Sequence, residues 1–212
     1  MITEYEAEPI PGLPGLPPKG ERVLWQGSPD WRVLARTAFH IRTVAAYFGL
    51  LVAIAVVNFA RTGSPTGVII TGCMGIFVVS LLTAIAWGAA RSTIYTLTNR
   101  RIVLRIGMAL PKCINLPLSL VGSVDLQQHS DGSGDLPIAL TARQPMGYAV
   151  LWPHARPWYL KDPQPMLRAV PDVDKVAAMI ARACLAAHPS GNIVPIESAV
   201  RPEADFGKAV AA

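Results

Sequence analysis

The stretch "STIYTLTNRRIVLRIG", Ser92–Gly107, begins directly after two long apolar runs, and its reading decides the fold. Its side chains alternate: Ile94, Thr96 and Thr98 point one way, Tyr95 and Leu97 the other. After a turn around Asn99, Ile102, Leu104 and Ile106 share one face, while Arg101, Val103 and Arg105 share the opposite face. A period of two on both arms predicts a β-hairpin of the kind found in water-soluble domains.

What precedes it is of another kind. "TVAAYFGLLVAIAVVNFA" (43–60) and "GVIITGCMGIFVVSLLTAIAWGAA" (67–90) contain no charged residue. At about 1.5 Å per residue each covers a hydrocarbon core of ~30 Å. "RTGSPT" between them offers Gly63 and Pro65 as helix breakers, so the two spans form an antiparallel hairpin. Arg32, Arg36 and Arg42 flank the first span, and Arg91, Arg100, Arg101 and Arg105 follow the second; the loop has only Arg61. This membrane-surface basic set places both chain ends in the cytoplasm by the positive-inside rule. The absence of ionisable residues within the spans argues against a transport pathway. Small residues recur four apart at Ala45, Gly49 and Ala53, and at Ser80, Ala84 and Gly88. Such stripes let helices approach closely, either within the hairpin or against another protein.

Upstream, residues 1–27 form a Pro-rich arm, with Pro9, Pro11, Pro14, Pro17 and Pro18 imposing extended backbone. It is expected as a tail or as a strap on a partner. Residues 28–42 read as an amphipathic juxtamembrane helix capped by Ser28, with Trp31, Leu34, Ala35, Ala38 and Phe39 in one stripe. Its basic side suits a bilayer interface.

Downstream, "LSLVGSVDLQ", "LPIAL" and "GYAVLW" read as further strands, separated by the turn-rich "HSDGSGD" and "ARQPMG". In "PDVDKVAAMIARACLAAH" the residues Val173, Val176, Ala177, Ile180 and Cys184 line one helical stripe. Residues 92–188 are therefore expected as a small β-barrel or sandwich capped by a C-terminal helix, and 189–212 as a flexible tail. The fold class is a membrane-anchored α+β protein: a two-helix transmembrane hairpin followed by a cytoplasmic domain.

Bulk properties agree with this division. The 212 residues allow one compact domain plus accessories. A hydrophobic fraction of 51% and mean hydropathy of +0.36 are high for a soluble chain. The net charge of +5 is spread beside the apolar runs, which favours an anionic membrane surface over nucleic acid. Cys73, Cys113 and Cys184 have no metal-like or disulfide spacing, and the first twenty residues lack an apolar signal core.

Reactive chemistry has little support. Cys184 and His188 lie four apart on the last helix, where a buried thiol and a helix-end histidine explain them. "HSDGSGD" holds His, Ser and Asp, but adjacent loop residues do not face one another as a triad requires. No phosphate-cradling loop and no metal-ligand cluster is present, so neither catalytic nor metal residues are assigned. "WPHARPW", 152–158, combines Trp152, His154, Arg156 and Trp158, the composition of a protein-binding patch, with Trp25 and Trp31 adding to it. Packing against the sheet, or sitting at the level of the lipid headgroups, is the simpler role for these tryptophans.

Two motifs carry a resemblance. "GERVLWQGSP" before the apolar runs and "YTLTNRRIVLRIG" after them resemble the bacterial pleckstrin-homology-like membrane proteins over about residues 20–187. That likeness implies a pleckstrin-homology-like domain at 92–188. "GLPGLPPKGERVLWQGSPDW", "LARTAFHIR" and "LWPHARPW...PQPMLR" further resemble the PuhB-type photosynthetic complex assembly proteins of purple bacteria. The resemblance implies a non-enzymatic factor in the intracytoplasmic photosynthetic membrane, with reaction-centre and core-antenna polypeptides as partners. Anionic lipids, and a second copy of the chain, are further expected partners. No cofactor is expected, unless His40, at the head of the first span, ligates a bacteriochlorophyll. A pigment or lipid carrier, and a membrane-surface adaptor unrelated to photosynthesis, are the alternative readings.

Overall fold

The computed structural model describes residues 10–108, 110–142 and 146–188. The expected tail at 189–212 and the first nine residues of the arm lie outside these.

Within the stretch expected as an arm, the first regular element among the described residues is a strand, β1 (Val23–Gly27). A short helix α1 (Trp31–Thr37) follows, then α2 (Ile41–Thr62), α3 (Thr66–Ser92), β2 (Ile94–Thr98) and β3 (Arg101–Ile106). β1 pairs antiparallel with β2, matching Gly27 to Tyr95 and Val23 to Thr98 across a bulge. The helical hairpin is therefore an insertion between two neighbouring strands of one sheet. β4 (Lys112–Pro117) pairs with β3 and completes the four-stranded order β1-β2-β3-β4.

A second sheet is built on β7 (Gly134–Leu140). β5 (Val121–Val124) and β6 (Gln127–Gln128) pair with it in turn, and β8 (Met166–Val170) is its other neighbour. "LSL" forms a 3-10 turn rather than strand, and "GYAVLW" folds as the helical turn α4 (Tyr148–Leu151). The last helix α5 (Val173–Ala187) turns Val173, Val176, Ala177, Ile180, Ala183 and Cys184 inward. These join Leu97, Ile102, Leu104, Leu116, Leu136 and Ile138 in one core between the sheets.

The outer face of the first sheet is covered too, which is why β2 is buried on both faces. The Pro-rich arm lies across it: Gln26 Nε2 donates to the Pro11 carbonyl (2.5 Å) and to Thr96 Oγ1 (3.0 Å). Leu13 is 1% exposed, and Gly12, at φ +87°, leaves room for Ile94 where a β-carbon would collide. The strap is thus drawn onto this chain's own sheet.

α2 and α3 are long and apolar enough to cross a membrane, and almost none of their apolar surface is buried. A core helix of a soluble domain would bury most of that surface; these helices turn it outward.

Candidate functional site: the junction of hairpin and domain

α1 is shorter than expected and differently capped. Asp30, not Ser28, is the N-cap, its side chain accepting from Arg32 N–H at 2.7 Å. The helix ends by Ala38, and His40 takes a left-handed conformation (φ 50°) before α2 begins. Val33, Leu34, Ala35 and Phe39 pack against Ala86, Ala89 and Ala90 of α3 and against Ala169 of β8. The apolar stripe serves as a collar between hairpin and domain. Its exposed arginines Arg32 and Arg36 turn away, Arg32 over the Trp31 ring and Arg36 toward Asp131 at 3.5 Å.

A buried polar chain crosses the same junction. Thr93, the cap of α3, donates to the Ala89 carbonyl (2.7 Å) and meets His154 Nε2 at 3.1 Å. His154 Nδ1 meets the Tyr95 hydroxyl at 2.8 Å, and Arg168 N–H donates to that same hydroxyl at 3.0 Å. Burial and the Arg168 charge push the His154 imidazole down to about 3, so it stands neutral. Burial likewise raises the Tyr95 hydroxyl. Next along, Asp135 accepts from the Ala169 N–H (2.8 Å), which holds Ala169 at φ +51° while its carbonyl accepts from Asp30 N–H. His129 Nε2 lies 3.6 Å from Asp135, an ion pair when the imidazole is protonated, and the carboxylate raises the His129 pKa.

The residues expected to bind partners divide. His154 is 1% exposed and structural, which removes it from any contact surface. Trp25 packs against the main core and Trp31 against the collar, both half-buried. Arg156 is held by Asp125 (2.9 Å) and Gln164 (3.0 Å) and lies over Tyr159. Trp152 is half-exposed, edge-on to Phe39 at 5.4 Å. Trp158, 93% exposed at φ +69°, stands clear of the surface.

The basic residues divide as well. Arg42 and Arg91 are exposed beside the apolar helices, Arg91 over the Trp87 ring. Arg105, opposite Ile94, lies at the end of the sheet that adjoins α3. Arg100 and Arg101 sit at the opposite end, about 13 Å along β2 at ~3.3 Å per residue. Arg101, expected at a membrane surface, is paired within the domain: it grips Glu21 through Nε (2.8 Å) and a second nitrogen (3.1 Å). Burial opposes ionisation of Glu21, yet hydrogen bonds from Arg101 and Thr98 and the nearby charges hold its carboxyl below the usual range.

The small-residue stripes do not hold the hairpin together. That contact runs through Gly75, where a β-carbon would stand 3.0 Å from Phe48. Ala45, Gly49, Ala53, Ser80 and Ala84 are exposed, and Gly88 is half-buried. Ala45, Gly49 and Ser80 help line an open groove of about 450 Å³ between the helices. His40 is exposed at the bend, and its side chain makes no capping bond. Cys184 is buried, its thiol pushed up to about 11 by desolvation, and His188 lies against the Cys184 and Ser119 carbonyls. Among the described residues no metal-ligand cluster of three or more is gathered.

The bacterial PH domain family model matches residues 39–183. The chain is 35% identical over 189 residues, 86% of its own length and 88% of the other, to an uncharacterized 23.7 kDa protein in the puhA 5' region of Rhodobacter capsulatus. No solved structure matches. The chain belongs to the bacterial PH domain family, and its likeness to a protein from the puhA region is consistent with the PuhB-type group within it.

Proposed function

We propose that this chain is a non-enzymatic assembly scaffold for the photosynthetic reaction centre and its core light-harvesting antenna. The observation that carries the reading is the insertion of the apolar hairpin between β1 and β2, fastened by the collar and the Thr93–His154–Tyr95 chain. Such a joint holds a domain at a set height and angle above a bilayer, as guiding newly inserted subunits requires. The gene position of the Rhodobacter capsulatus relative, beside puhA, links it to photosynthesis and supports the same role.

In this reading α2 and α3 cross the bacterial inner membrane, with both chain ends cytoplasmic. Their groove beside Ala45 and Gly49 receives a client helix, since small side chains let backbones approach closely. Trp158 and Trp152 meet a client at the membrane surface, and Arg32, Arg42 and Arg91 meet anionic headgroups. The chain uses no cofactor and binds no nucleic acid; self-association through the same groove is its homo-oligomeric form.

The test is affinity purification of the tagged protein in mild detergent from photosynthetically growing cells. Co-purifying chains are identified by mass spectrometry, and an absorption spectrum is taken of the same fraction. Reaction-centre or antenna polypeptides, with no stoichiometric pigment on the stripped protein, are expected. Pigment that survives removal of those partners would make this a carrier, with His40 the first residue to replace. A deletion strain with normal core-complex levels would overturn the scaffold reading.

A further inference from the structure

The turn between β3 and β4 lies beside the apolar hairpin. A β-carbon built on Gly88 of α3 would stand 2.8 Å from Met108 Sδ, so Met108 sits directly over that glycine. Gly88 is four residues short of the end of α3, about 6 Å at ~1.5 Å per residue. Met108 thus reaches three residues, about 4.5 Å at ~1.5 Å per residue, further along α3 than Arg91, beside the half-exposed Trp87. Met108 and Leu110 are 50% and 78% exposed, although both are apolar and neither is needed by the core. Exposed Lys112 follows at the head of β4. Gly107 permits the bend at φ +105°, where a β-carbon would strike the Leu110 carbonyl.

Apolar side chains at the tip, an aromatic at their level and cations one step higher match the layers of a bilayer interface. We propose that this turn is a second membrane contact, with Met108 and Leu110 seated at the headgroup–acyl boundary of an anionic phospholipid leaflet. Lys112 and Arg91 lie among the phosphates above them. The occupant follows from continuity: the turn extends the outward apolar surface of α3 without a polar break at Met108. The contact adds to the collar in holding the domain against the leaflet. The inference rests on the reading that α2 and α3 span a bilayer.

The test keeps the full native chain and places a photo-crosslinking benzoylphenylalanine at one surface position at a time. The positions are Leu110, Ile76 on the exposed face of α3, and Arg100 at the far end of the sheet. Each variant is reconstituted in nanodiscs of phosphatidylglycerol and phosphatidylcholine, illuminated, and weighed for lipid adducts. Adducts at positions 76 and 110, each several-fold above position 100, are expected. Adducts at 76 without adducts at 110 overturn the second contact and leave the spanning helices standing. No adducts at 76 remove the spanning reading and this inference with it. Equal labelling at 100 and 110 also overturns it, because the turn is then not singled out.

Discussion

His154 shares two hydrogen bonds and carries no charge, and that state has a pH range. Its folded-state pKa is held at about 3, against an ordinary 6.5. The unfolded chain therefore takes up the proton first, so the stabilisation is whole above pH 6.5 and drains as pH falls toward 3. His154→Gln keeps a polar side chain there without a titrating ring. Its unfolding free energy at pH 7.5, read from denaturant titration, is expected to fall by about 1–2 kcal/mol. The wild-type loss between pH 6.5 and 4 should be markedly shallower in the variant; an unchanged acid slope would place the proton elsewhere. Trp158 behaves oppositely. Because it is 93% exposed, Trp158→Ala should shift stability by no more than about 0.5 kcal/mol. If it is a client contact, the same substitution lowers the recovery of co-purified subunits.

At the level of elements, the two glycines of the hairpin separate fold from function. Gly75 has Phe48 against it, and Gly49 has nothing within 4 Å of an added β-carbon. Gly75→Leu is expected to force α2 and α3 apart and reduce the amount of folded protein in detergent. Gly49→Leu should leave the thermal midpoint nearly unchanged and, in the scaffold reading, block a client helix; the two midpoints measured side by side decide this. The stripes were visible in sequence because spacing of four is a helical signal, but which side faces the partner helix is set by packing. The same limit explains the strands. β2 and β3 are legible because alternation survives over both arms. β1 is five residues between prolines and a helix cap, so only its partner β2 defines it as a strand. β4 follows Pro111 and ends in Pro117, and "GYAVLW" alternates like a strand yet closes a helical turn. His154 looked like surface because a run of Trp, Pro, His and Arg has the composition of a contact; its hydroxyl partners Thr93 and Tyr95 lie some sixty residues away.

For the whole molecule, the order of elements makes the domain dependent on residues that come before the hairpin. β2 is buried on both faces, by the core on one side and by the Pro-rich arm on the other, and β1 covers its edge. A chain of residues 92–188 alone would expose the ladder groups of β2 and the apolar underside that Leu13 and Gln26 cover. Glu21 would also be gone from Arg101, leaving a partly buried guanidinium without the carboxylate that now accepts two hydrogen bonds from it. That fragment is expected to aggregate or to lack dispersed amide resonances. The remedy follows from the register: Gly27 lies opposite Tyr95, so the ends left by excising the hairpin are already neighbours. Residues 10–30 joined by a short Gly/Ser linker to 93–188 should restore β1, the strap and the Glu21–Arg101 pair in a water-soluble protein. Circular dichroism and amide spectra of the two chains, made in parallel, read the outcome directly. If residues 92–188 fold as well as the joined chain, β1 and the strap are accessories, and the hairpin is an anchor placed before an independent domain rather than an insertion within one.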